Sequence, residues 1–338
     1  MLGTIRFLLA IAVALSHADV RIAGLNPGVI AVVCFYLISG YVMTGLIRNH
    51  YFATGRIGSF YLDRGLRILP QYLLICALTL LWYFIAHPQT PFLGHAPGVG
   101  DLLNNLTIAP LNYYMFNGSD SFTLIPPAWS LGAEVQFYLL IPLLLIWRLR
   151  SAALMLAIVV FAAACWGVIN SEWYGYRLLP GVLTFFLLGS VLHDLRGTRR
   201  AALLVAAVLL ATLAGALLLA QGAHLGLPYN KETLLGMAIG LPLLFVFGGL
   251  PRHALDDRLG DLSYGVFLNH FLIQWTLTGV PKDVAGWAAY LAAVILLSAV
   301  TQWLVERPVL AWKQRLRRRR AGHPEEPAAP PAAGSSPG

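Results

Sequence analysis

Long apolar runs separated by short polar breaks make up most of this chain. Ten such runs, at about 4–20, 28–47, 66–87, 128–147, 151–170, 178–194, 201–220, 232–249, 261–279 and 285–305, are long enough, or nearly so, to cross a hydrocarbon core as α-helices. Several, including 201–220, contain no charged residue. A surface helix of a soluble protein of that length would show a polar face. The pattern therefore predicts an all-α fold: a polytopic membrane helical bundle of about ten transmembrane helices.

Composition agrees. The 338 residues are 58% hydrophobic and 11% charged, whereas a soluble domain carries about 25% charge. Charge placement then sets orientation. With the N-terminus inside, all but four of the 23 Lys and Arg residues fall at cytoplasmic positions; the exceptions are Arg21, Arg177, Lys231 and Lys282. Such a bias predicts that both termini are cytoplasmic. The loop 88–127 has no Lys or Arg, as an exported loop should. The net charge of +8 thus reflects topology and does not point to nucleic acid.

Two domains are expected: a transmembrane domain over 1–310, and a cytoplasmic tail over 311–338 that is first basic and then Pro/Ala-rich and disordered. The basic run should lie on anionic headgroups. The N-terminus has some features of a signal peptide, but an apolar run restarts at Gly28 and further spans follow, so it is read as the first span. Cys34, Cys76 and Cys165 fall inside predicted spans and form no CxxC pair. They read as small buried apolar residues, and no metal site is expected.

The polar residues inside the spans carry the candidate chemistry. An ionisable side chain within a membrane segment costs several kcal/mol and is a functional candidate. Arg6 and His17 lie eleven residues apart on the first span, which brings them to one helix face about 16 Å apart along the axis. This places a cation near the cytoplasmic mouth and an imidazole near mid-membrane.

Glu134 lies about 10 Å inside the fourth span, behind Trp129 and Ser130 at the water interface. A carboxylate at that depth needs a partner. One reading pairs it with His17 to orient a general base; the other is a structural Glu–Arg or Glu–Tyr contact. Arg64 and Arg67 share a face at i and i+3, suited to phosphate oxygens, although snorkelling arginines at a cytoplasmic interface look the same. His270 is a second intramembrane imidazole, suited to substrate contact or to a structural hydrogen bond. Glu306-Arg307-Pro308 reads as a local ion pair and helix stop.

Familiar catalytic patterns are absent. The chain has no GxxxxGK[ST], no HExxH and no HxxxxD, since His253 and Asp257 miss the last spacing by one. Buried His, Arg and Glu in a ten-span bundle also suit a proton-coupled transporter or flippase of a polyprenyl-linked glycan.

Taken in order, Arg6–x10–His17, Phe35 to Tyr41, Arg64–x2–Arg67 before Ile68-Leu69-Pro70, Trp129-Ser130-Leu131 through Glu134 to Tyr138, Ser263-Tyr264 through His270, and Glu306-Arg307-Pro308 resemble the bacterial integral-membrane acyltransferase 3 family. The resemblance implies transfer of an acyl group, usually acetyl, from cytosolic acyl-CoA to a hydroxyl of an extracytoplasmic glycan, lipid-linked sugar or related acceptor. It implies a multi-pass protein of the bacterial inner membrane. It also implies a donor site involving Arg64 and Arg67, with Arg6 and His17 required. On that basis His17 and Glu134 are the catalytic candidates, Arg6, Arg64 and Arg67 the acyl-CoA candidates, and Trp129, Ser130 and His270 the substrate candidates.

Overall fold

The computed structural model describes residues 1–251, 253–277, 279–309 and 311–312. The tail expected beyond residue 312 lies outside the described residues. Ten long α-helices account for the ten apolar runs. They are α1 Leu2–His17, α2 Pro27–Leu46, α3 Ile57–Ala86, α4 Ala128–Ile146, α5 Arg150–Cys165, α6 Leu179–Leu195, α7 Arg199–Gln221, α8 Asn230–Phe247, α9 Ala254–Thr276 and α10 Val284–Thr301. No β-strand occurs among the described residues, only two isolated bridges, Ile22–Leu25 and Leu93–Phe122.

Seven of these segments are long and apolar enough to cross a membrane. The helices α1 and α5 are apolar but shorter, and α9 is interrupted by the buried polar residues Ser263, Asn269, His270 and Gln274. The all-α polytopic bundle is therefore the observed fold.

Burial orders the helices from centre to edge. In the segment Pro27–Tyr51, which contains α2, 78% of the most apolar window is buried within the protein, against 17% for α7. Helix α2 is thus the central post and α7 a peripheral, lipid-facing helix. Asn26 caps α2 by accepting from the backbone N–H groups of Gly28 and Val29, and Pro27 opens its first turn.

Close crossings hold the core, because lipid tails give apolar helices no hydrophobic reason to associate and packing must do so. At the α2–α6 crossing a Cβ on Gly40 would strike the Phe186 carbonyl, and one on Gly189 would strike the Leu37 carbonyl. At the α1–α9 crossing a Cβ on Gly3 would strike the Asp256 carbonyl. That crossing is also pinned by polar contacts: Asp256 Oδ1 accepts from the Thr4 N–H at 2.7 Å and its hydroxyl at 2.9 Å.

The starts of α1, α3 and α9 lie at one face of the bundle, here called the basic face. The 88–127 segment covers the opposite, loop face. It is a folded cap: Phe122, Ile108, Leu111, Leu124 and Ile125 are buried in it. Asn105 ties it together, donating to Asp101 and Phe122 carbonyls and accepting from the Leu124 N–H.

Three π-helical turns interrupt the regular geometry, at Ile47–Tyr51, Trp173–Arg177 and Gln302–Glu306. Such turns often mark functional positions, and two of these end on Arg177 and Glu306. Helix continues through Arg307 to Val309, so Glu306-Arg307-Pro308 is not the helix stop expected from the sequence.

Candidate active site

Two cavities lie along α1, one towards each face. The basic-face cavity, of about 180 Å³, is lined by Arg6, Arg64, Arg67, Ser39, Glu134 and Tyr138, with Ser130 and Tyr264 among the remaining wall residues. The loop-face cavity, of about 200 Å³, is lined by His17, Trp129, Arg177, Tyr114, Asp120 and Phe271, among others.

The basic-face cavity gathers three guanidinium groups. Arg6 Nη2 donates to the Gly260 carbonyl at 2.8 Å. Arg64 is ion-paired with its neighbour Asp63, which is 3% exposed and so needs a counter-charge there. Arg67 is ion-paired with Glu306. The expected local pairing of Glu306 with Arg307 gives way to this long-range one, because the π-helical turn keeps Glu306 buried against α3. Arg64 Nε is buried with no hydrogen-bond partner among the described residues. A buried unpaired donor in a native fold calls for an explanation, and an anionic ligand supplies one.

Glu134 sits in this same cavity. Its Oε1 accepts from the Ser39 hydroxyl at 2.6 Å and the Tyr138 hydroxyl at 2.5 Å. The expected pairing of Glu134 with His17 is therefore not formed; the Glu–Tyr contact, weighed as the alternative, is what the fold contains. The physical reason is local. Tyr138 follows Glu134 by one helical turn on α4 and reaches it directly, while His17 lines the other cavity.

His17 is the last residue of α1, so its imidazole sits at the loop-face end of that helix and not near mid-span. Its Nδ1 lies 3.1 Å from His270 Nε2, with the two rings only 13° apart. His270 is fully buried, and its Nδ1 lies 3.0 Å from the Val266 carbonyl, one turn earlier on α9.

These partners assign the tautomers. A carbonyl oxygen only accepts, so His270 Nδ1 carries the hydrogen and its Nε2 is the acceptor. The neutral His17 ring then donates from Nδ1, which leaves Nε2 with the lone pair. Of the two readings of His270, substrate contact or a structural hydrogen bond, the hydrogen bonds to His17 and to the Val266 carbonyl are what the fold contains.

Arg177 is the residue that sequence reasoning missed. Its guanidinium stands 4.6 Å from the Trp129 ring centroid, 5.2 Å from Tyr114, 5.5 Å from Tyr176 and 5.7 Å from Tyr229. Cations are attracted to ring faces at such distances. Its Nε donates to Glu172 at 2.8 Å. Asn112 locks the surroundings, donating to the carbonyls of Trp129 and Arg177 at 3.0 and 2.9 Å. Burial pushes the Tyr114 hydroxyl up to about 12, so it stays neutral at physiological pH and available to donate. The aromatic run Trp173-Tyr174-Gly175-Tyr176 before Arg177 was the available signal.

The two remaining candidates divide between the cavities. Trp129 lines the loop-face cavity beside Arg177. Ser130, the next residue, is buried, donates to the Pro127 carbonyl at 2.9 Å and lines the basic-face cavity. No group of His, Cys, Asp or Glu able to hold a metal ion occurs among the described residues.

A family model described as an acyltransferase domain matches residues 2–305. The chain belongs to the acyltransferase 3 family. Membership makes it an acyltransferase and decides against the carrier reading. Its relatives include Nodulation protein 10 of Rhizobium leguminosarum bv. viciae, 26% identical over 325 residues covering 87% of this chain and 84% of the relative. An uncharacterised protein of Aquifex aeolicus is 34% identical over 160 residues, 45% of this chain and 72% of the relative. The O-acetyltransferase OatA of Staphylococcus aureus is 30% identical over 132 residues, which is 37% of this chain but 21% of that protein. No solved structure matches.

Proposed function

We propose that this acyltransferase moves an acetyl group from cytosolic acetyl-CoA to a hydroxyl of an extracytoplasmic glycan, lipid-linked sugar or related acceptor, and that it does so in a bacterial inner membrane with both termini inside. The observation that carries this reading is the arrangement of α1. One helix presents Arg6 to a cavity with three guanidinium groups and His17 to a second cavity at the opposite face. A polyanionic donor from one side and an alcohol from the other fit that polarity.

On the basic face, Arg64, Arg67 and Arg6 hold the donor's phosphates. A guanidinium has five N–H donors, so Arg64 and Arg67 can keep Asp63 and Glu306 and still bind phosphate oxygens; Arg64 Nε is already vacant. The thioester arm then extends along α1 towards His17. On the loop face, the acceptor enters beside Trp129 and Arg177.

His17 Nε2 takes the proton of the acceptor hydroxyl while that oxygen attacks the thioester carbonyl. The tetrahedral intermediate collapses with cleavage of the C–S bond. The sulfur leaves with a proton returned from His17, giving the acyl ester and free CoA thiol. His270 keeps the imidazole in the required tautomer throughout, a role equivalent to that of a buried carboxylate beside a catalytic histidine. Glu134, held by Ser39 and Tyr138, lines the path of the thioester and contributes fixed polarity there.

The deciding experiment compares deletion and complemented strains by mass spectrometry of surface glycans and secreted metabolites. Loss of an acetyl mass on deletion, restored by the wild type and not by His17→Ala, supports the reading. Full restoration by His17→Ala removes His17 from the chemistry.

A further inference from the structure

A third cavity lies apart from both sites described above, where α2 ends, α4 ends and α5 begins, on the basic face. It has a volume of about 450 Å³, with Arg48, Arg148, Arg150 and Ser151 on its polar side and Phe52 and Leu145 on its apolar side. Its charge is unbalanced. Arg48 and Arg150 share a single carboxylate oxygen, Oδ2 of Asp194, at 2.9 and 2.7 Å. Arg148 has no ion-pair partner among the described residues, and its backbone is left-handed at φ 58°. That conformation closes the C-terminal cap of α4, with the Leu149 N–H donating to the Leu144 carbonyl at 2.9 Å, and it turns the chain from α4 into α5 at the cavity. Three cations thus face one anion.

Two further features point to what balances the surplus. The N-terminus of α5 has no side-chain cap, so the first-turn N–H groups of Arg150 and Ser151 are available to an anion. Exposed apolar residues adjoin the lining: Phe52 is itself on the wall and carries the Arg48 guanidinium 4.5 Å above its ring, and the exposed Trp147 and Leu149 flank Arg148 in the chain. A soluble anion has no use for that apolar rim. A phosphate group attached to acyl chains does.

We propose that this cavity is a binding site for the headgroup of an anionic phospholipid of the inner leaflet, with Arg48, Arg148 and Arg150 on the phosphate and the chains lying along the exposed residues of the α4–α5 corner. The chemistry recognised is a phosphate group, and the apolar rim selects the lipid as its source. Asp194 holds Arg48 and Arg150 in place and leaves two positive charges for the ligand. The site is separate from the acyl-CoA and acceptor cavities, so it stands whether or not the assignments made there hold.

The test is native mass spectrometry of the full chain released from nanodiscs that contain equal amounts of phosphatidylglycerol and phosphatidylcholine. Wild type should retain phosphatidylglycerol selectively. Arg148→Gln should cut that retention by about fivefold, and Arg48→Gln/Arg148→Gln by more. Arg148→Lys, which keeps the charge, should lose less than Arg148→Gln.

Arg148 is exposed and unpaired, so its variants should melt like wild type even where changes at Arg48 disturb Asp194. Equal retention by wild type and Arg148→Gln overturns the proposal. So does release of the lipid by millimolar inorganic phosphate or CoA, since the site would then read a soluble phosphate group and not a membrane one.

Discussion

His17 Nδ1 lies 3.1 Å from His270 Nε2, and His270 Nδ1 in turn donates to the Val266 carbonyl. This chain of donors leaves His17 Nε2 as the basic nitrogen of a ring that lines the loop-face cavity. His17→Ala should lower turnover by about 10²-fold or more, the usual contribution of a positioned base. His270→Gln keeps an acceptor for His17 Nδ1 and should lose much less than His270→Ala, which frees the ring to rotate. The check is steady-state kinetics of acyl transfer in purified protein. Equal losses for the two His270 variants would reduce His270 to a packing residue.

The donor side gives a separable prediction. Arg64→Ala and Arg67→Ala each remove charge-assisted hydrogen bonds to phosphate and should weaken acyl-CoA binding by about tenfold or more. CoA should raise the melting temperature of the wild type and lose most of that effect in the double variant. Unchanged CoA stabilisation would put the donor elsewhere.

Most of the frame was legible in the sequence because hydropathy and helix length are local properties. All ten predicted runs coincide with helices, and Arg6, Arg64, Arg67, Ser130 and Glu134 do converge on one cavity. Pairing within the bundle was not legible, because it depends on which helix faces meet. Between helices, Glu134 bonds to Ser39, His17 to His270, and Glu306 to Arg67, whereas the Glu134–Tyr138 contact, one turn apart on α4, is local and was among the readings the sequence offered. Depth also shifted, because α1 ends at His17 and not at residue 20. Arg177 was hidden among residues read only as topology markers. Its four rings come from the loop, α4, its own turn and the segment before α8.

Glu306 should matter for stability as well as for the donor site. It is 3% exposed, and its partner Arg67 is partly buried. Removing Glu306 leaves the Arg67 guanidinium with only the more distant and exposed Asp261, at 3.7 Å, and breaking a buried pair in this way costs up to about 3 kcal/mol. Glu306→Ala should therefore melt earlier than Arg67→Ala/Glu306→Ala, which removes both charges. The measurement is thermal unfolding in detergent. Identical melting of the single and double variants would show that the pair is not coupled.

Arg177 should affect the acceptor and not the donor. Its guanidinium is fixed by four rings and Glu172 in the cavity that His17 lines. Arg177→Gln should reduce transfer to the acceptor by about tenfold or more through misplacement of the bound hydroxyl, while CoA binding by calorimetry stays at the wild-type value. A matching loss of CoA affinity would mean that the substitution disturbs the bundle and not one cavity.

The α2–α6 crossing offers the sharpest test of the packing. Gly40 and Gly189 approach each other's helices so closely that any Cβ meets backbone, which cannot move aside as a flexible side chain can. Gly189→Val should force the central post away from α6 and abolish a monodisperse, cooperatively melting protein. Gly215 on α7 is the control, since nothing lies within 4 Å of the Cβ it would gain. Gly215→Ala should fold normally and gain up to about 1 kcal/mol from helix propensity alone. Size-exclusion profiles and melting curves of the two variants, read side by side, separate a crossing that requires glycine from a helix that merely contains one.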